Sequence, residues 1–474
     1  MNMQPLLLLN VVGLTPRHLG PLTPHLSALA AAGAMRPLTS ITPAVTCSVQ
    51  ATLLTGALPA EHGIVGNGWY FRELGEIFFW RQSNQLVAGD KLWDSAKRRD
   101  PGFSCANLFW WYNMASSHDF GATPRPIYKA DGRKLPDCYT KPPAWRDELT
   151  ARLGAFPLFQ FWGPATTIAS TRWIAEAAKL SMREQDATLT LAYLPHLDYD
   201  LQRHGPDTTH PAVARALREV DAVAGDLIAH AQQAGRRVLV LSEYGITAVE
   251  RAVHLNRHLR TAGYLTVRVE EGTELLDPTA SRAFAVADHQ IAHVYVAQDE
   301  DIEPVRRLLA ALDGVESVWR GDERSRVGLD HPRAGELVVM ADQRSWFSYY
   351  YWLDDARAPD FARTVDIHRK PGYDPAELFV DPAIRFPRLA VASRLAQRKL
   401  GLRVLMNVIG LDASVVKGSH GRPVDDPQDG PLIMADWPGA FAPGPVAATE
   451  VKDIALGLIF AAEDADAQAR PAVA

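Results

Sequence analysis

The sequence predicts an α/β protein, a mostly parallel sheet flanked by helices with a small α+β unit inserted as a cap. Three observations carry this prediction. Short apolar runs alternate with capped helical stretches, the rhythm of a parallel sheet. That rhythm changes between residues 265 and 365. Polar residues (Asn10, Asp198 and Glu243) follow apolar runs, as they do where a parallel sheet presents its carboxyl ends.

In chain order, Gln4–Val12 reads as a buried strand closed by Gly13. Thr23 caps a helix with Pro24 in its first turn and Gly33 at its end, and a strand follows near Met35–Leu38. In TCSVQATLLTG, Ser48 is the expected cap and Gly56 the stop, which leaves Thr46 just outside a helix N-terminus. Thr188–Leu194 is a second buried strand, Pro211–Gln233 a long amphipathic helix stopped by Gly235, and Arg237–Leu241 a third strand. The cap follows as a strand over Ala292–Val296, a helix over Ile302–Leu312 and strands over Val315–Trp319 and Glu336–Met340. The expected division is a core of residues 1–264 and 366–474 with residues 265–365 as the cap, and the Ala-rich tail beyond Asp464 is expected to fray.

The 474 residues are 47% apolar and 9% aromatic, enough for a large packed core, and the length suits one large sheet with insertions as well as about three domains. A net charge of −6 argues against nucleic acid as a partner, because phosphate-backbone binding needs a positive field. Three widely spaced cysteines form no disulfide framework, so a reducing compartment, the cytoplasm, is expected. The apolar opening Leu6–Leu9 is too short for a signal peptide or membrane span, and no membrane partner is expected. Nothing in the sequence sets the oligomeric state.

Spacing alone gathers Asn10, Asp198 and Glu243 at one rim of the sheet, and a hydroxyl at Thr46 joins them where a helix N-terminus favours phosphate. Each also has a plain structural reading. Thr46 can cap a helix, Glu243 can complement a helix dipole and Asn10 can bond nearby backbone. Asp288-His289 with His293 has a metal-like spacing, but the segment reads as extended, so these side chains would not share a face.

Pro43–Tyr70 (PAVTCSVQATLLTGALPAEHGIVGNGWY) resembles the nucleophile segment of the nucleotide pyrophosphatase/phosphodiesterase branch of the alkaline phosphatase superfamily. The blocks LFWWYN, YLPHLDYDLQRHGP, VLSEYGI and KGSHGRP follow in the order of that family, over nearly the whole chain. The resemblance implies an alkaline-phosphatase-like core. It places Thr46 at the nucleophile position and Asn67 at the position that holds a phosphate oxygen. It also implies a metal-dependent hydrolase of small phosphate esters, diesters foremost, or else a binding or scaffold protein that has kept the fold.

The family's metal positions fall on Asn10, Thr46, Glu243 and Tyr244 for one zinc, and on Asp198, Gln202 and His420 for the other. Four of these seven depart from the usual residues, and Gln202 and Tyr244 are the weaker candidates. The remaining, mostly oxygen donors suit one or two divalent cations, with Mg²⁺, Mn²⁺ or Ca²⁺ a better fit than a full two-zinc site and zinc still open. Trp69, Tyr70 and Trp110 are candidates for an aromatic slot beside the nucleophile.

Overall fold

The computed structural model describes residues 3–131 and 133–469. The apolar run Leu6–Val11 forms the middle of a nine-stranded sheet, parallel to Leu189–Leu194 on one side and to Arg237–Leu241 on the other. A strand with neighbours on both edges and helices packed over it has no wet face, which is why it reads as continuous leucine instead of alternating. Helices Pro211–Gln233 and Val451–Ala469 pack on this strand, and Ile168–Glu184 on Leu189–Leu194.

Outward from the centre, the sheet continues through Cys105–Leu108, Phe120–Pro124 and Cys138–Lys141 on one side. On the other it continues through Leu432–Ala435, Ala34–Thr39 and Val446–Ala447. Only Leu432–Ala435 and Cys138–Lys141 run against the rest. The sheet is therefore mostly parallel, and its carboxyl ends collect Asn10, Asp198 and Glu243 on one rim.

A second, antiparallel sheet orders Ala283–Asp288, Ile291–Val296, Leu337–Ala341 and Val315–Arg320, with helix Asp299–Ala310 against it. Its apolar cluster also takes in Val249, Leu255 and Leu259 from before residue 265 and Tyr373, Ala413 and Val416 from after residue 365. The first two strands are joined by the two-residue turn His289-Gln290, whose Gln290 N–H donates to His420 O at 2.9 Å. The tip of this sheet thus touches the rim of the large one.

Some element ends differ from the sequence reading. The helix expected to start at Ser48 runs from Thr46 to Thr55, with Val45 as its N-cap. Ser48 is not needed as a cap because Asn67 Oδ1 accepts the Cys47 N–H from outside the helix at 2.9 Å. The helix expected from Ile302 begins at Asp299, where Asp299, Glu300 and Asp301 complement the N-terminal dipole. The last helix continues to Ala469, past the point where fraying was expected, and the end of that expectation, 470–474, lies outside the described residues. Among the described residues no helix is long and apolar enough to cross a membrane.

Candidate active site

Three neighbouring strands deliver the polar floor. Asn10 lies in the central strand, Glu243 lies two residues beyond the strand ending at Leu241, and Asp198 lies in the first turn of helix His196–His204. Thr46 opens its own helix beside them, and all four side chains are buried. His420 arrives on a turn whose strand Gly418–Ser419 pairs with Thr247–Ala248. Only glycine fits at position 418, since a Cβ there would stand 2.2 Å from Leu201 O of the Asp198 helix.

On one side of Thr46, Asn10 Nδ2 donates to Glu243 Oε1 at 2.6 Å, and Gln50 Nε2 donates to the same oxygen. Glu243 Oε2 and Asn10 Oδ1 are buried without a hydrogen-bond partner. Burial raises the Glu243 carboxyl to about 8, against the lowering effect of these donors.

On the other side, the Tyr244 hydroxyl donates to Asp198 Oδ1 at 3.2 Å and lies 3.1 Å from Thr46 Oγ1. A phenol has one hydrogen, so with that hydrogen on Asp198 its oxygen accepts from Thr46. Gln202, one helical turn after Asp198, donates from Nε2 to Asp198 Oδ2 at 2.7 Å and is itself held by the Tyr373 hydroxyl at 3.2 Å. Burial raises Asp198 to about 7 even with these donors.

His420 stacks on Tyr244, centroids 3.6 Å apart, and on its other face meets His289 at 3.6 Å, which in turn stacks on Tyr373 at 3.8 Å. Burial lowers the imidazole of His420 to about 3. The neutral ring donates from Nδ1 to Ala44 O at 2.8 Å, leaving the Nε2 lone pair 3.9 Å from Asp198 Oδ1.

Thr46, Tyr244, Asp198 and His420 line a cleft of about 580 Å³. Its walls include Trp80, Trp111, Trp162 and Tyr373, and Arg81, Arg125, Lys134 and Arg369 also line it. The segment carrying Arg369 and Tyr373 is fixed from behind by the buried Lys370 ammonium, 2.6 Å from Asp374 and 2.8 Å from Glu377.

The aromatic slot is therefore not the one expected. Trp69 stacks on Phe71, Tyr70 packs edge-on against Phe284 and Tyr295, and Trp110 is fully buried in the main core. None of the three lines the cleft, because Trp69 packs against Phe71 and the Arg333 guanidinium and Tyr70 and Trp110 against apolar neighbours, whereas Trp80 and Trp111 line the cleft with Thr46. Asn67 also stands back from the cleft. Besides accepting from Cys47, it donates from Nδ2 to Asp288 Oδ1 at 3.0 Å, and its backbone N–H donates to Asp288 Oδ2 at 2.7 Å. It ties the Thr46 helix to the second sheet.

The sequence reading sets Asp288 and His289 aside because the segment reads as extended. The signal that could have found them is the two-residue interval between AFAVAD and IAHVYV, a hairpin turn that projects His289 at φ +62°.

The two halves differ in how well they suit the cations that the resemblance implies. Around Asp198 both carboxylate oxygens already receive N–H or O–H donors, and Gln202 supplies an amide where an imidazole would be needed, so this half does not fit a zinc. Among the described residues no three His, Cys, Asp or Glu side chains form a metal-holding group. Around Glu243, the unpartnered Oε2 and Asn10 Oδ1 beside Thr46 are hard oxygen donors of the kind that one oxygen-coordinated cation takes.

Comparison with known proteins agrees with this fold. The structure is similar to phosphonoacetate hydrolase from Sinorhizobium meliloti 1021 in complex with phosphonoformate, with TM-score 0.63, 14% identity and 97% of this chain and 96% of that chain covered. It is similar to murine ectonucleotide pyrophosphatase / phosphodiesterase 5, an inactive threonine-to-alanine variant in complex with AMP, with TM-score 0.57, 15% identity and coverage of 96% and 95%. The human counterpart gives TM-score 0.57 at 14% identity, again covering 96% and 95%. No curated protein sequence matches the chain. The profile of type I phosphodiesterase / nucleotide pyrophosphatase matches residues 6–374. With its alkaline-phosphatase-like fold and a match over most of its length, the chain belongs to the type I phosphodiesterase / nucleotide pyrophosphatase family, hydrolases of phosphate esters that in general depend on divalent metals.

Proposed function

We propose that the cleft hydrolyses a small phosphate diester with Thr46 as nucleophile. The observation that carries this reading is the position of Thr46. It is the first residue of a buried helix, it opens onto the cleft floor, and its hydroxyl is in hydrogen-bond reach of Tyr244, which bonds Asp198. In the attacking step Thr46 Oγ1 forms a bond to phosphorus while its proton passes to Tyr244 and the Tyr244 proton passes to Asp198. The ester P–O bond breaks and the leaving alkoxide takes a proton from solvent. Water then adds its oxygen to phosphorus as the bond to Thr46 Oγ1 breaks, the water proton goes to solvent, and the proton held on Asp198 returns through Tyr244 to Thr46. The helix N-terminus offsets negative charge on the phosphate, and Arg81, Arg125 and Arg369 draw an anion towards the cleft. A cation held by Glu243 and Asn10 would lower the pKa of the Thr46 hydroxyl and offset the same charge. The walls of Trp80, Trp111 and Trp162 suit a flat or apolar leaving group, a preference in keeping with the AMP bound by the murine relative.

A second reading, a protein that binds such esters without turnover, is favoured by the donors that Gln202 and Tyr244 place on Asp198. Elemental analysis of protein purified without chelators, with Thr46→Ala assayed beside it on bis-p-nitrophenyl phosphate, separates the two. About one ion per chain and a loss of turnover of about a hundredfold or more in the variant support the hydrolase. No Thr46-dependent turnover with Mg²⁺, Mn²⁺ or Zn²⁺ supplied overturns it in favour of the binding protein.

A further inference from the structure

Residues 385–405 (RFPRLAVASRLAQRKLGLRVL) carry six Arg and Lys residues and no acid, in a chain whose net charge is −6. Their helix, Pro387–Lys399, faces the opposite way to most surface helices. Half-buried Val391 packs inwards, on a small cluster with Ala376, Val408 and Ile409, whereas Leu389, Ala392, Ala396 and Leu400 recur at three- and four-residue spacing on the exposed side. Leu400 is 80% exposed, Leu389 68% and Phe386 61%, and Leu395, Leu402 and Leu405 are each at least half exposed. Arg388 and Lys399 stand on the same exposed side. Neither pairs with a carboxylate among the described residues.

We propose that this segment seats the chain on an anionic lipid surface. Exposed leucines interleaved with unpaired cations are what an interfacial helix offers, the apolar side chains entering the acyl boundary and the cations meeting acidic headgroups. The absence of any acid across 21 positions matches a uniformly negative surface. The irregular run after the helix, with Leu402 and Leu405, cannot continue the apolar stripe that a groove on a protein partner would read. This mode lies on a membrane and does not span it, so it is distinct from the spanning segment whose absence led the sequence to be read as having no membrane partner. The same small cluster includes Val365 of the cleft wall, and exposed Phe159 and Tyr128 also line the cleft, so seating this segment brings the cleft close to the lipid.

The test is co-sedimentation of the full chain with phosphatidylcholine vesicles and with vesicles containing phosphatidylglycerol as well. The protein is expected to pellet with the anionic vesicles and not with the neutral ones, and to be released by high salt. The L389E/L400E variant, with unchanged melting temperature and unchanged turnover of soluble diester, should bind at least about tenfold more weakly. Wild-type protein that stays in the supernatant with anionic vesicles overturns the proposal, and so does a variant that pellets as well as wild type. A halving of solution mass in L389E/L400E assigns the face to a second copy of the chain and also overturns it. Thr46→Ala should pellet like wild type, so the docking surface and the nucleophile stand or fall separately.

Discussion

Glu243 and Asp198 follow the two strands that flank Leu6–Val11, both are buried, and both carboxyls are raised by burial. Their partners differ. Asp198 has a donor on each oxygen, from Tyr244 and Gln202, whereas Glu243 has two donors crowded on one oxygen and none on the other. A buried carboxylate left half-satisfied is costly unless a proton or cation completes it. The contrast divides the floor into a half whose carboxylate oxygens both accept hydrogen bonds and a half in which one carboxylate oxygen has no partner, with Thr46 between them. On the Asp198 side Tyr244 and Gln202 both donate to the carboxylate, while on the Glu243 side the buried Glu243 Oε2 and Asn10 Oδ1 have no partner.

Removing the open oxygen tests this division most severely. Glu243→Gln keeps the shape but places an amide where the free carboxylate oxygen was. It should lose the bound cation in elemental analysis and reduce diester turnover by about a hundredfold, roughly 2.7 kcal/mol of barrier. Thr46→Ala should lose the turnover and keep the ion. A Glu243→Gln protein with full metal content would show that the two halves do not differ in the way described.

Much of the large sheet is legible because burial on both faces forces apolar runs. Arg237–Leu241 and Pro211–Gln233 fall on the residues expected from pattern and stop signals alone. The site is legible where a side chain follows directly from its own element, as with Thr46, Asp198 and Glu243 reaching one floor. It is illegible where the partner is remote in sequence. Nothing near Ser48 reveals that Asn67, 20 residues from Cys47, caps the helix. Neighbouring tryptophans part in the same way. The Trp110 backbone N–H is taken by Asn107 Oδ1 and the ring is buried in the core, while the Trp111 backbone N–H is taken by Gln50 Oε1 and the ring lines the cleft. Composition cannot tell the two apart, because both are apolar and adjacent and only tertiary packing chooses between them.

A milder change probes the link between the halves. Tyr244→Phe keeps the ring stacked on His420 and deletes the hydroxyl that joins Thr46 to Asp198. If the proton of Thr46 leaves by this route, turnover should fall about tenfold, near 1.4 kcal/mol, with the cation content unchanged. An unchanged rate would place the Thr46 proton on the Glu243 side instead.

The smallest expected effect lies in stability, and its sign follows from linkage. The folded-state value of Asp198, about 7, is above its ordinary value of 3.8. Between those limits the native state binds more protons than the unfolded state at this site, so its stabilising contribution is full below about pH 4 and lost as pH rises through about 7. His420, lowered to about 3, runs the other way, because it favours unfolding as pH falls below its ordinary 6.5. Comparing wild type with Asp198→Asn cancels the histidine contribution, since the amide cannot ionise. The melting temperature of Asp198→Asn relative to wild type should therefore rise by about 3 °C between pH 5 and pH 8. A difference that stays flat across that window would mean that Asp198 is ionised throughout and that the donors of Tyr244 and Gln202 outweigh its burial.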